Sequence, residues 1–155
     1  MAKRRDLIKM TEEEIHEFLH GRHSMSVATT GPDGRIHVIA MWYGFDGERL
    51  AFETYAKSQK VKNLERDPRI TVMVEDGDQY EQLRGVELVG TAEIVTDDDR
   101  KRAISTSVIT RYWDFGGDEA AVEMAVANLM NKRVGIVIHP DKVVSWDHSK
   151  LGGTY

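Results

Sequence analysis

The sequence predicts a mostly β fold with inserted helices, an antiparallel barrel in a single domain. Three observations carry the prediction. Several short runs alternate apolar with polar residues, tight turns join neighbouring runs, and 155 residues without a dividing linker amount to one ordinary domain. Hairpin joins of this kind favour antiparallel pairing over the crossover helices of a parallel sheet.

Residues 1–10 are charged at the start and are expected to form a flexible N-terminal stretch. Thr11-Glu12-Glu13-Glu14 then spells a capping box ahead of Ile15, Phe18 and Leu19, predicting a short helix that ends near Gly21. The period changes to two at Met25, Val27 and Thr29, and Gly31-Pro32-Asp33-Gly34 turns the chain into a returning strand, Arg35 to Tyr43. That strand is apolar on both faces. A barrel buries one face, so a partner or a ligand is expected to cover the other.

Asp46-Gly47 predicts a second hairpin into Leu50, Phe52 and Thr54. Ser58 to Arg66 reads as a short crossover helix with Ser58 as N-cap, closed by Asp67-Pro68. A strand through Ile70, Val72 and Val74 follows, then a long one through Val86, Leu88, Gly90, Ala92 and Ile94, in which Gly85 and Gly90 suit the bends of a closing barrel. Thr96, followed by Asp97, Asp98 and Asp99, predicts a capped helix to about Tyr112, and Asp118 caps another through Met124, Val126 and Leu129. Two final strands, Arg133 to His139 and Lys142 to Asp147, are expected around Pro140-Asp141.

Composition excludes several classes of function. With no Cys there is no disulfide framework, thiolate metal site or cysteine nucleophile. A net charge of −5 gives no general attraction to nucleic acid, and no window is long and apolar enough to span a membrane, so a cytoplasmic protein is expected. His16-Glu17-Phe18-Leu19-His20 matches a zinc-hydrolase spacing, but the two histidines lie off the apolar face of a short first helix and no third ligand is evident, so no metal site is expected. Asp114-Phe115-Gly116 lacks every companion motif of a kinase. No nucleophile elbow or phosphate-binding glycine loop occurs either.

One segment does carry chemistry. Ser58-Gln59-Lys60 opens a helix, where free amides and the positive dipole end favour an anion and a lysine adds a point charge. A capped surface helix with solvated lysines would have the same sequence.

The run Phe52-Glu53-Thr54, then Ser58-x-Lys60, Asn63-Leu64 and Asp67-Pro68-Arg69, resembles the pyridoxamine 5'-phosphate oxidase-like superfamily, and the order of elements over roughly residues 12 to 147 resembles it too. The resemblance implies an FMN-binding split β-barrel that works as a homodimer, with cofactor at the subunit interface. It implies cofactor-phosphate roles for Ser58, Gln59 and Lys60 beside Thr54, with Asn63 shaping the helix. Vitamin B6 oxidases of the superfamily usually carry an arginine beside the lysine. Gln59 stands there instead, similar to F420-binding members of the flavin/deazaflavin oxidoreductases, and the ending from Ser145 to Tyr155 lacks the arginine-bearing terminus of the B6 oxidases.

The resemblance also places a flavin-like ring against Met41 and Trp42, with core or dimer contact as the competing role. Tyr80 and Arg84 face the partner's cofactor or form a surface loop, and Trp146 closes over the ligand across the dimer or is an ordinary buried tryptophan. The expected activity is hydride transfer from reduced coenzyme F420 to a small electron-poor molecule, with an FMN enzyme and a non-catalytic flavin or F420 carrier as rivals. No proton donor stands out. Tyr43 and His37 qualify only if their faces line the pocket.

Overall fold

The computed structural model describes residues 3–153. The remaining ends, including Thr154 and Tyr155 of the C-terminal run quoted above, lie outside the described residues. A one-turn helix α1 (Arg4–Leu7) precedes α2 (Glu12–Gly21), whose capping box is complete: Thr11 Oγ1 accepts from Glu14 N at 3.2 Å, and the Glu14 carboxylate accepts from Thr11 N at 2.7 Å. The stretch expected to be flexible is tied to the fold from Ile8 onward. Asp147 N donates to Ile8 O at 2.7 Å, Met10 N donates to Ser145 Oγ at 3.0 Å, and the Met10 side chain is buried.

Strands β1 (Ser24–Thr30), β2 (Ile36–Trp42), β3 (Gly44–Asp46) and β4 (Arg49–Tyr55) lead into α3 (Gln59–Arg66). Then come β5 (Arg69–Asp76), β6 (Arg84–Val95), α4 (Asp98–Tyr112), α5 (Glu119–Met130) and β7 (Arg133–Asp147). All pairings are antiparallel, in the order β2-β1-β5-β6-β7-β4-β3. The two ends of that order, β2 and β3, are consecutive in the chain and separated only by Tyr43. The sheet therefore curls so that one extended run pairs with β1 at its start and with β4 at its end, which closes a barrel. Closure is incomplete: β3 pairs with Arg49 to Ala51, while Phe52 to Tyr55 of β4 pair only with β7. The barrel is split along the β2–β4 seam.

Apolar residues of alternating register fill the interior, among them Val27, Phe52, Val72, Val86 and Ile136, with α2 and α3 covering its ends through Phe18, Leu19, Val61 and Leu64. A second, smaller core lies outside the sheet, where Ile104 and Val108 of α4 pack on Ala51, Val95 and Val137. Strand β4 is thus buried on both faces, one inside the barrel and one under α4.

Three expectations need correction. The cap of α4 is Asp97, which accepts from Arg100 N at 2.9 Å, because Asp97 and not Thr96 occupies the extended residue before the first helical turn. The last two strands are one continuous β7, and Pro140 is accommodated at a register shift opposite Val89 and Gly90. A β-carbon at Gly90 would lie 2.0 Å from the His139 carbonyl oxygen, so the shift requires glycine. Finally, β2 buries neither face fully, although His37 and Met41 are half-buried and Met41 packs against the core. Ile36 is 64 % exposed, Val38 61 % and Trp42 47 %, because the strand leaves the barrel before β4 can cover it.

Candidate functional site

Strand β4 positions the site through its alternation. Thr54 points to the side covered by α3, and Glu53 and Tyr55 point to the side covered by α4. On the Thr54 side, Lys60 is only 7 % exposed and Nζ donates to Thr54 Oγ1 at 2.9 Å, its sole acceptor among the described residues. An ammonium has three donors, so two are left for something else. Burial, with Arg133 adding a smaller push, lowers the Lys60 pKa.

Ser58 is the N-cap residue of α3 by backbone geometry, yet its hydroxyl makes no cap bond and instead lies 3.3 Å from Thr54 Oγ1. The first-turn amides are therefore open to an external acceptor. Gln59 Nε2 donates to Asn63 Oδ1 at 2.9 Å, and the fully buried Asn63 donates from Nδ2 to Thr29 Oγ1 at 3.0 Å, anchoring α3 against β1. Open amides, a buried ammonium with spare donors and a second cation nearby fit a phosphate-bearing ligand better than a plain surface helix.

On the Glu53 side of β4, the seam opens into a cavity of about 400 Å³ lined by Met41 and Trp42 of β2, Glu53 of β4, Val108 of α4, Leu129 of α5 and Arg133 of β7. Trp42 is held by stacking on Tyr112 at 4.0 Å and by edge contact with Trp113 at 5.1 Å. Arg133 pairs across from Tyr55, and its guanidinium carbon sits 4.3 Å from the Tyr55 ring centroid. It thus lines the cavity and also acts electrostatically on Lys60, connecting the two halves of the site. A flat aromatic group with a phosphate tail has both an apolar slot and a cationic end available here.

Glu53 is the unexpected occupant. It is 6 % exposed; Ser105 Oγ makes a short hydrogen bond with Oε1, while Oε2 is buried without a partner among the described residues. Burial lifts its pKa to about 7, against the opposing pull of Arg133 and Lys101. A wider cleft of about 690 Å³ runs past Arg111, Trp113 and Phe115, but it holds none of the cofactor-site residues expected from sequence, and its acids Asp114, Glu119 and Glu123 are exposed.

The structure therefore brings Met41 and Trp42 together with Arg133 and Glu53, and Thr54 together with Ser58 and Lys60. It does not bring in Arg84 or Trp146. Arg84 pairs with Asp76 at 2.9 Å and stacks on Phe18, and Trp146 lies across Gly85 on the neighbouring strand, at the end of the sheet near α2. Tyr43 and His37 are excluded from the cavity lining. Tyr43 is fully buried, and its hydroxyl donates to Leu19 O. His16 and His20 stack on each other at 4.0 Å, with His20 also against Phe45, and no metal-holding group of acids and histidines occurs among the described residues. Nor is any described helix long and apolar enough to cross a membrane.

Sequence reasoning missed Glu53 and Arg133. A charge set within the apolar run Leu50 to Thr54 was a readable signal for the first. For the second there was none, since an arginine opening a strand is commonplace.

Residues 11–147 match the family model described as pyridoxamine 5'-phosphate oxidase. Among solved structures, the conserved hypothetical protein Rv2991 from Mycobacterium tuberculosis is 43% identical, with a TM-score of 0.92, covering 99% of this chain and 95% of that one. A protein described as F420 reductase is 27% identical at a TM-score of 0.52, covering 78% and 88%. HutZ, the heme storage protein from Vibrio cholerae, shares the fold at 16% identity and a TM-score of 0.68, covering 89% and 97%. No curated protein matches the chain.

Proposed function

The chain belongs to the pyridoxamine 5'-phosphate oxidase family, and from that premise we propose that it is an oxidoreductase that binds coenzyme F420 and reduces a small, electron-poor organic acceptor. The observation that carries the reading is Lys60: an ammonium buried at an uncapped helix start with two donors unspent, beside a second cation. Nothing in the packing of the barrel asks for such a group, whereas a phosphate does. Gln59, where B6 oxidases usually carry arginine, and the likeness to an F420 reductase support the deazaflavin over FMN.

The bound deazaflavin supplies the hydride, from C5 of its ring. The amides of α3, Ser58 and Lys60 hold the phosphate, and Thr54 fixes the lysine. Met41 and Trp42 flank the ring, and the Tyr112 stack keeps Trp42 in place, so the slot is preorganised and water is displaced from one ring face. A second copy of the chain covers the exposed Ile36, Val38 and Trp42 face of β2 and brings its own Arg84 and Trp146 toward the site, which accounts for their distance from it within one chain.

FMN remains the second reading, because Lys60 and Arg133 grip any phosphate monoester or diester. Equilibrium titrations with F420 and with FMN, followed by fluorescence, decide between them. Micromolar or tighter binding of F420 with FMN at least about tenfold weaker supports the proposal, the reverse order moves the protein to the flavin enzymes, and binding of neither removes the reading.

A further inference from the structure

One acid, Glu53, lines the seam cavity. This is the space where the ring is proposed to sit, and Oε2 of Glu53 is buried without a partner among the described residues. Its other oxygen meets Ser105, whose hydroxyl also lies 2.8 Å from the Lys101 carbonyl. A hydroxyl has one proton and can accept as well as donate. If Glu53 is ionised, Ser105 donates to it. If Glu53 is protonated on Oε1, it donates to Ser105 and Ser105 donates to Lys101 O. If the proton is on Oε2, it has no acceptor among the described residues and is left for a ligand.

The charged groups facing Glu53 are Arg133 from β7 and Lys101 from α4; Lys101 is itself 3.6 Å from Asp98. The β2 and α5 residues of the cavity are uncharged. Resting on the cofactor reading above, we propose that Glu53 is a ligand-reading group of this site: as a neutral carboxylic acid it donates a hydrogen bond from Oε2 to a carbonyl oxygen or ring nitrogen at the edge of a heteroaromatic ligand. Arg133, on the same cavity wall, steadies the carboxylate when the proton leaves.

This role makes affinity depend on pH in a way that packing alone does not. Ionised Glu53 offers a ligand acceptor only lone pairs, so apparent affinity should fall about tenfold for each pH unit above its titration near neutrality. Glutamine at this position keeps a donor at every pH.

The test is fluorescence titration of F420 and of FMN from pH 5.5 to 9 on wild type, Glu53→Gln and Ser105→Ala. Wild-type affinity is expected to drop about tenfold or more between pH 7 and 9, and E53Q to stay within about threefold of its value at pH 6 after correction for the ligand's own titrations, which act equally on both proteins. Removing the Ser105 donor takes support from the carboxylate and should move the wild-type midpoint to higher pH, so the proposal stays testable should E53Q fail to fold. Parallel profiles for wild type and both variants overturn the role of Glu53 while leaving the cofactor reading intact. Binding of neither ligand to wild type at any pH overturns both.

Discussion

Replacing Lys60 by methionine separates a residue kept for binding from one kept for folding. The substitution retains the buried stem and deletes the ammonium. It loses one charge-assisted bond to Thr54, worth about 1.5–3 kcal/mol, but relieves two buried donors without protein acceptors at about 1–3 kcal/mol each and removes the repulsion from Arg133. The remaining 7 % exposure lets water offset part of that relief, so the net expectation is a gain of about 1 kcal/mol in ligand-free protein, or about 2–4 °C in Tm.

The sign with pH follows. Lys60 titrates lower in the folded chain than in the unfolded one, so the unfolded state binds more protons as pH approaches the ordinary lysine range, and wild-type stability rises there. The advantage of Lys60→Met therefore narrows as pH increases. Binding of a phosphate-bearing cofactor should weaken at least about tenfold, the loss of one charge-assisted contact. Thermal melts from pH 6 to 10 and a titration with F420 read both quantities. A variant destabilised by more than about 1 kcal/mol that binds F420 and FMN as tightly as wild type would refute the reasoning and make Lys60 a structural residue.

Glu53→Gln gives a second stability prediction. Because the folded pKa is raised to about 7, the native state holds a proton that the unfolded chain has lost; wild-type stability falls as pH rises from the ordinary glutamate range through 7, and at pH 8 the glutamine variant should be more stable by up to about 3 kcal/mol, with little difference at pH 4. Equal urea midpoints for the two proteins at pH 8 would contradict it. Gly90→Ala sets a β-carbon against the His139 carbonyl oxygen, backbone that cannot swing away, and should cost more than about 3 kcal/mol. Gly34→Ala, at a φ of 80° with open space around it, should cost only about 1 kcal/mol, so similar melting temperatures for the two variants would dispute the bulge.

Much of this fold is legible in the sequence because local signals and global topology agree. Thr11 and Glu14 cap the helix they predict, Asp46-Gly47 turns the hairpin it predicts, and the inward positions Val27, Val72 and Val86 alternate as a half-buried sheet requires. Ser58 and Lys60 are found where the helix start predicts. The misreadings share a cause. Pro140-Asp141 looks like a turn, but a long strand absorbs it through a register shift that depends on Gly90, 50 positions earlier. β2, apolar on both faces, is expected to bury one of them in the barrel, and its exposure follows from its place at the end of the strand order, paired with β1 alone. Glu53 and Arg133 share one face only because β4 pairs with β7, strands far apart in the chain, a relation that no window of sequence contains.

The central claim is that the α3 start holds the phosphate of a deazaflavin whose ring enters the β2–β4 seam. A crystal structure of the complex with F420 tests it most directly. The account predicts the phosphorus atom within hydrogen-bonding reach of Lys60 Nζ and the first-turn amides of α3, with the ring against Met41 and Trp42. A phosphate bound elsewhere, with Lys60 still donating only to Thr54, would contradict it.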